Sequence, residues 1–250
     1  MITVADPNTR DKIGLASLRH ALARETPVVL QVLIEAGANP NARTENGRTP
    51  LHWTAGNSNP SVAQVLLDVG ADVEARCEDG WTPLHLAANQ SKTPAVVQVL
   101  LDAGADVETR DERGKTPLHW AASNNETPAV AQVLLDAGAN PNSRDEDGRT
   151  PLHEAAFSDK PAIFSESPAI VQALLDAGAD PNPRTKDGHT PLHYVAMLNK
   201  SPAIVQALLD AGADPKVATP DRKLPVDLIL QSSLLRTILD ARSQVRSPPI

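Results

Sequence analysis

The apolar residues of this chain fall in short runs that return at a nearly fixed interval. Each run is rich in Val, Ala and Leu and carries one glutamine in the same phase. The glutamines are Gln31, Gln64, Gln98, Gln132, Gln172 and Gln206, separated by 33, 34, 34, 40 and 34 residues. A proline preceded by a capping residue opens every run: Thr26-Pro27, Asn59-Pro60, Thr93-Pro94, Thr127-Pro128, Ser167-Pro168 and Ser201-Pro202. The side-chain oxygen can satisfy a first-turn N–H, and proline gives up an N–H that a helix would leave unused. Val, Ile and Leu then follow at helical spacing, so each run predicts an amphipathic helix. Glycines end the runs, at Gly37, Gly70, Gly104, Gly138, Gly178 and Gly212, where a left-handed backbone closes a helix. Recurrence at helix starts makes the Ser/Thr-Pro pairs caps rather than phosphorylation sites.

A second motif keeps the same phase. The tetrapeptide Thr-Pro-Leu-His begins at Thr49, Thr82, Thr116, Thr150 and Thr190, with steps of 33, 34, 34 and 40 residues. It too starts a helix, and small residues such as Ala121-Ala122 follow, which lets neighbouring helices approach closely. Between the two helix starts of successive units, stretches such as Ala105 to Gly114 read as extended hairpin fingers. Motif and period together resemble the ankyrin repeat, and the resemblance runs from about Ala16 to Asp240. It implies an all-α repeat fold, an α-solenoid of stacked helix-turn-helix units with β-hairpin-like loops. Six repeats and a C-terminal capping repeat are expected in one domain, residues 1–242, with a disordered tail over 243–250. The end units are degenerate. Leu18-Arg19 replaces Leu-His, Leu224-Pro225-Val226-Asp227 replaces the tetrapeptide, and Ile229 stands where alanine packs elsewhere. An apolar stripe of Leu234, Leu235, Ile238 and Leu239 closes the last unit. Such units bury their apolar faces only against neighbours.

Composition narrows the function. An apolar content of 41% over 250 residues suffices for a substantial core. The net charge of -8 repels phosphate backbones and anionic lipid, so neither nucleic acid nor membrane is an expected partner. Cys77 is the only cysteine, which excludes an intrachain disulfide and suits a reducing compartment. It occupies a hairpin tip and is expected to be exposed. No signal-like start and no membrane-length apolar run is present. The reading is a soluble cytoplasmic monomer, with a secreted effector as the alternative.

Candidate chemistry is mostly structural. His52, His85, His119, His153 and His193 each occupy the last position of the tetrapeptide, where the resemblance implies hydrogen bonding to backbone between hairpin and helix. His189 and His193 have the spacing of two helical metal ligands, but Thr190-Pro191 starts the helix between them, so their rings are not expected to share a face. Carboxylates such as Asp145-Glu146-Asp147 sit at hairpin tips in water, where little shifts their pKa values. Phosphate-binding glycine loops, nucleophile elbows and calcium loops are absent from the sequence. No catalytic residue, cofactor or metal is expected, and the chain is not read as an enzyme.

In ankyrin proteins the fingers and first helices line a concave binding face. Transferred by motif position, that face holds Arg48, Trp81, Lys115, Arg149 and His189 just before each tetrapeptide. Just after it come Trp53, Leu86, Trp120, Glu154 and Tyr194. Further along the first helices, Phe157 shares that side. Aromatic residues and arginine dominate binding hot spots, and four of the six aromatic residues fall on these rows. Arg43, Arg76, Arg110, Arg144 and Arg184 begin the fingers beside acidic tips. They are expected to pair with those acids, or else to form a charged rim that steers a partner. The linker from Phe157 to Pro168 is six residues longer than its counterpart, and Phe164 within it is a further candidate contact. The function expected is an interaction scaffold for another protein, with an interface near ~800 Å² per partner. A regulatory or inhibitory subunit, or a host-directed effector using the same surface, is the alternative.

Overall fold

Proline stands at the first position of most helices in the computed structural model, which describes residues 16–124, 127–157, 168–198, 202–229 and 233–244. The helices are α1 (Ala16–Ala23), α2 (Pro27–Glu35), α3 (Pro50–Trp53), α4 (Pro60–Asp68), α5 (Pro83–Gln90), α6 (Pro94–Asp102) and α7 (Pro117–Asn124). After them come α8 (Pro128–Asp136), α9 (Pro151–Phe157), α10 (Ala169–Asp176), α11 (Pro191–Met197), α12 (Pro202–Asp210) and α13 (Ser233–Gln244). Two 3₁₀ turns, Thr54–Gly56 and Pro225–Leu228, extend α3 and precede α13. Among the described residues there is no strand, so the protein is all-α. Among the described residues six helix pairs are followed by the closing 3₁₀ turn and α13. That last helix runs two residues into the segment expected as a tail, and 245–250 lie outside the described residues.

Each start has a physical reason. Asn59 and Thr93 accept the backbone N–H two residues on, at 3.0 and 3.3 Å, as the capping pattern predicts. Thr26 behaves differently, and its hydroxyl donates to the Ala21 carbonyl at 3.3 Å. In the tetrapeptides the histidine plays the part that Glu takes in a capping box: the Thr82 N–H donates to His85 Nδ1 at 3.1 Å. The C-terminal unit keeps the device with a different residue, since the Leu224 N–H donates to Asp227 Oδ2 at 2.8 Å. At the far end of α4, Gly70 (φ 86°) lets the Ala71 N–H reach back to the Leu66 carbonyl at 2.9 Å. The glutamine ladder is also explained. Gln64, Gln98, Gln132, Gln172 and Gln206 each donate to the aspartate one turn later, at 2.7–2.8 Å.

The chain divides into two compact units, residues 1–117 with 129–139 and residues 118–128 with 140–250. Within the first, α1, α3 and α5 pack in one layer and α2, α4 and α6 in the other. Leu51 and Leu84 from the first layer and Leu66 and Leu100 from the second are fully buried between them. In the second unit, α9, α11 and the 3₁₀ turn Pro225–Leu228 form one layer, with α10, α12 and α13 in the other. Leu152, Leu174 and Leu208 are fully buried there, and Leu192 nearly so. Ile229 is buried in place of the smaller alanine, and Leu239 of the predicted closing stripe is fully buried. Leu234 and Leu235 are placed in α13, but their side chains lie outside the described residues.

Candidate binding surface

The fingers are built by short-range bonds. In the finger of residues 44–48, the Thr44 N–H donates to the Arg48 carbonyl at 2.9 Å and the Gly47 N–H to the Thr44 carbonyl at 3.0 Å. The residue at the Thr44 position also offers its side chain. Thr44, Asp111, Asp145, Thr185 and Thr219 each accept the N–H four residues on, at 2.8–3.2 Å. Cys77 holds that position in its own finger. The expectation that it is exposed is corrected, for it is buried, with 8% of its surface exposed. Within each unit, successive fingers lie directly against each other. A Cβ on Gly80 (φ 74°) would come within 2.9 Å of the Glu112 nitrogen, so glycine is required both by its dihedral and by the approach.

Histidine fastens one finger to the next. The Nδ1 atoms of His52, His85, His153 and His193 accept a backbone N–H at 3.1 Å, so the ring proton sits on Nε2. Those Nε2–H groups, and that of His119, donate to the carbonyls of Trp81, Lys115, Arg149, His189 and Lys223 at 3.0–3.3 Å. Burial, opposed only in part by that backbone bond, pushes His52, His85, His153 and His193 down to about 4. These rings are neutral at pH 7 and both nitrogens are engaged. His189 and His193 meet edge to face at 5.5 Å, with His189 ahead of the helix that starts at Pro191, so the two share no helical face. The His193 nitrogens nevertheless belong to Thr190 and Lys223. Among the described residues no cluster of three or more His, Cys, Asp or Glu is placed to hold a metal.

The arginine row is engaged by backbone carbonyls. Arg43, Arg76, Arg144 and Arg184 reach the carbonyls of Arg76, Arg110, Arg184 and Ala218 in the next finger, at 2.6–2.9 Å. Arg43, Arg76 and Arg144 also bond the glycine carbonyl of their own finger at 3.1–3.3 Å. In these three residues a single guanidinium nitrogen, Nη1, donates to both carbonyls and so ties its own finger to the next.

The predicted contact residues divide into several groups. In the first unit, Arg48, Trp53 and Trp81 are half-buried, while Lys115 is buried with only 9% exposed. Trp81 lies 6.5 Å from the His85 ring, tilted by 30°. In the second unit Trp120 is half-buried, and Arg149, Phe157, His189 and Tyr194 come together. The Arg149 guanidinium lies 5.6 Å from the Phe157 ring centre and 5.9 Å from that of Tyr194. Tyr194 packs edge-on against Phe157 and His153 at 5.4 and 5.7 Å and leans on His189 at 5.8 Å. Phe157 is 38% exposed, whereas Tyr194 is buried beneath it. Phe164 and most of its linker lie outside the described residues. Sequence reasoning placed Glu154 on the same face but not as the buried base of this cluster. Glu154 is only 3% exposed and faces Arg149 at 3.8 Å. Its signal was a lone carboxylate where the other repeats carry Trp, Leu or Tyr.

Models of ankyrin repeats in three copies match residues 18–111 and 90–184, and one of many copies matches 174–229. The chain belongs to the ankyrin-repeat family. Among solved structures, this ankyrin-repeat chain is similar to the human ASB11 ankyrin repeat domain, with 28% identity and a TM-score of 0.78 over 93% of this chain and 99% of that one. It is also similar to the ankyrin repeat domain of Bcl-3, described as a unique member of the IkappaB family. That likeness has 28% identity and a TM-score of 0.71 over 90% and 97% of the two chains. No curated protein matches it. Ankyrin repeat domains are in general protein-interaction modules, and among the described residues no helix is long and apolar enough to cross a membrane.

Proposed function

We propose that this ankyrin-repeat chain is an interaction scaffold that binds a partner protein through its fingers and first helices and performs no chemistry. The observation that carries the reading is the cluster of Phe157, Arg149 and Tyr194, where an exposed ring and a half-exposed guanidinium are held by buried groups beneath them. Side chains fixed before contact lose little freedom on binding. Half-buried Trp53, Trp81 and Trp120 add aromatic area of the kind that anchors interfaces. The tetrapeptide histidines, with their ring nitrogens engaged by backbone, serve the stacking of the repeats.

Trp81→Ala with Phe157→Ala is the cleanest probe. Affinity purification followed by mass spectrometry should recover a partner with the native chain. The double variant should bind that purified partner at least roughly tenfold more weakly, with circular dichroism and melting unchanged. Equal affinity of both chains for every recovered protein would refute the proposal. Arg149→Ala is a poorer probe, because it removes the cation that faces the buried Glu154 carboxylate at 3.8 Å. It should cost about 1–3 kcal/mol in chemical denaturation. Adding Glu154→Leu, the residue type found at Leu86, should recover most of that loss.

A further inference from the structure

In the second unit, the pairing that joins Phe157 to Tyr194 recurs one repeat later with smaller partners. Met197 holds the place of Phe157, four residues after the tetrapeptide histidine, and Leu228 holds the place of Tyr194, directly after Asp227. Phe157 and Tyr194 close their junction with ring centres 5.4 Å apart. Met197 and Leu228 leave theirs open, and with Lys223 and Asp227 they line a cavity of about 380 Å³. That volume is near the lower end of the ~300–1,000 Å³ of ligand pockets. Because the cavity also opens to the surface, it suits a side chain of a partner better than an enclosed small molecule.

Basic side chains border both junctions. Arg149, His189 and Lys223 hold the same place in successive fingers, and the His153 and His193 rings fix the carbonyls of the last two. The Arg149 guanidinium is oriented by the Phe157 and Tyr194 rings, with Nε buried and without a hydrogen-bond partner. Glu154, the carboxylate that faces it, stands off at 3.8 Å. The Lys223 side chain is 57% exposed and meets the equally open Asp221 at 3.2 Å, a contact that water and salt weaken. Asp227 already accepts the Leu224 N–H at 2.8 Å. The exposed Asp147 and Asp187 sit two positions nearer the finger tips, where they repel carboxylates toward the helix side of the row. Resting on the scaffold reading above, we propose that this face of the second unit takes an extended acidic segment of the partner protein. One apolar side chain of that segment enters the Met197–Leu228 cavity, and its carboxylates meet Lys223 and Arg149. Two repeats separate these cations, ~16–20 Å at usual interhelical spacings, which roughly five or six extended residues span.

Random peptides displayed on phage and panned on the full chain test the proposal. Enriched peptides should carry Asp or Glu on both sides of a Leu, Met or Phe, and a synthetic copy should bind more weakly as salt rises. Lys223→Glu should weaken that peptide at least roughly tenfold. Met197→Trp, which fills the cavity, should do the same, both with unchanged circular dichroism. Enrichment of basic or uncharged peptides overturns the proposal, as does no enrichment at all. So do acidic peptides that bind both variants as well as the native chain. A purified partner that is weakened by Trp81→Ala with Phe157→Ala, yet ignores Lys223→Glu and Met197→Trp, also overturns it and leaves the scaffold reading standing.

Discussion

Single positions in the repeat show what the others are for. Cys77 occupies a site where Thr or Asp elsewhere accepts the N–H four residues on, and sulfur accepts hydrogen bonds only weakly. Cys77→Thr should therefore stabilise the chain by about 1 kcal/mol, read as a higher denaturant midpoint. A lower midpoint would show that the thiol packs better than a hydroxyl bonds. Arg222 is a second such site. It takes φ 64° at the finger position that glycine holds in the earlier repeats, where a side chain would strike the next finger. Among the described residues no finger follows it, so the left-handed arginine costs only its backbone strain. Neither fact stands out in the sequence alone. Cysteine looked like a bland exposed substitution because its counterparts are polar, and only the turn geometry shows that those polar groups point inward.

At the level of the finger, one asparagine decides how firmly neighbours are joined. Asn142 donates to the Gly178 carbonyl at 3.0 Å and accepts the Asp180 N–H at 2.7 Å, and Asn41 and Asn182 do the same for Gly70 with Asp72 and Gly212 with Asp214. Glu74, at the equivalent place in another repeat, can only accept, and it takes the Asp106 N–H at 2.9 Å. Asn142→Ala should cost about 1 kcal/mol in chemical denaturation, and Glu74→Ala less. Equal losses would mean that the extra donor bond contributes nothing. Helix starts and ends were legible in sequence because proline, capping residues and glycine act locally. The carbonyl partners of the arginines were not, because charge composition points to acids and says nothing of backbone one repeat away. Arg149, Phe157, His189 and Tyr194 were found by motif position. Their meeting in one cluster, and the buried Glu154 beneath it, depended on distances that no spacing rule supplies.

For the whole molecule, the buried imidazoles make stability depend on acidity. His52, His85, His153 and His193 are held at about 4, below the 6.5 of a free imidazole. Between those values the unfolded chain takes up protons that the folded chain refuses. Stability is thus complete above pH 6.5 and is lost as pH falls toward 4. One pKa unit corresponds to about 1.4 kcal/mol, so even a fraction of these shifts rivals the ~5–15 kcal/mol of an ordinary domain. The melting temperature should hold between pH 8 and 7 and drop steeply between 6.5 and 4.5. A flat profile over that lower range would show that the rings protonate in place.

The long linker after Phe157 leaves its mark by what it fails to disturb. His153 reaches the His189 carbonyl at 3.1 Å across 36 residues, the same distance at which His85 reaches Lys115 across 30. Arg144 likewise finds the Arg184 carbonyl at 2.7 Å across 40 residues. Extra chain between two helices therefore adds no tension to the joint between their fingers. That corner of the protein can carry foreign sequence, a graft or a reporter peptide, without altering the pieces it connects.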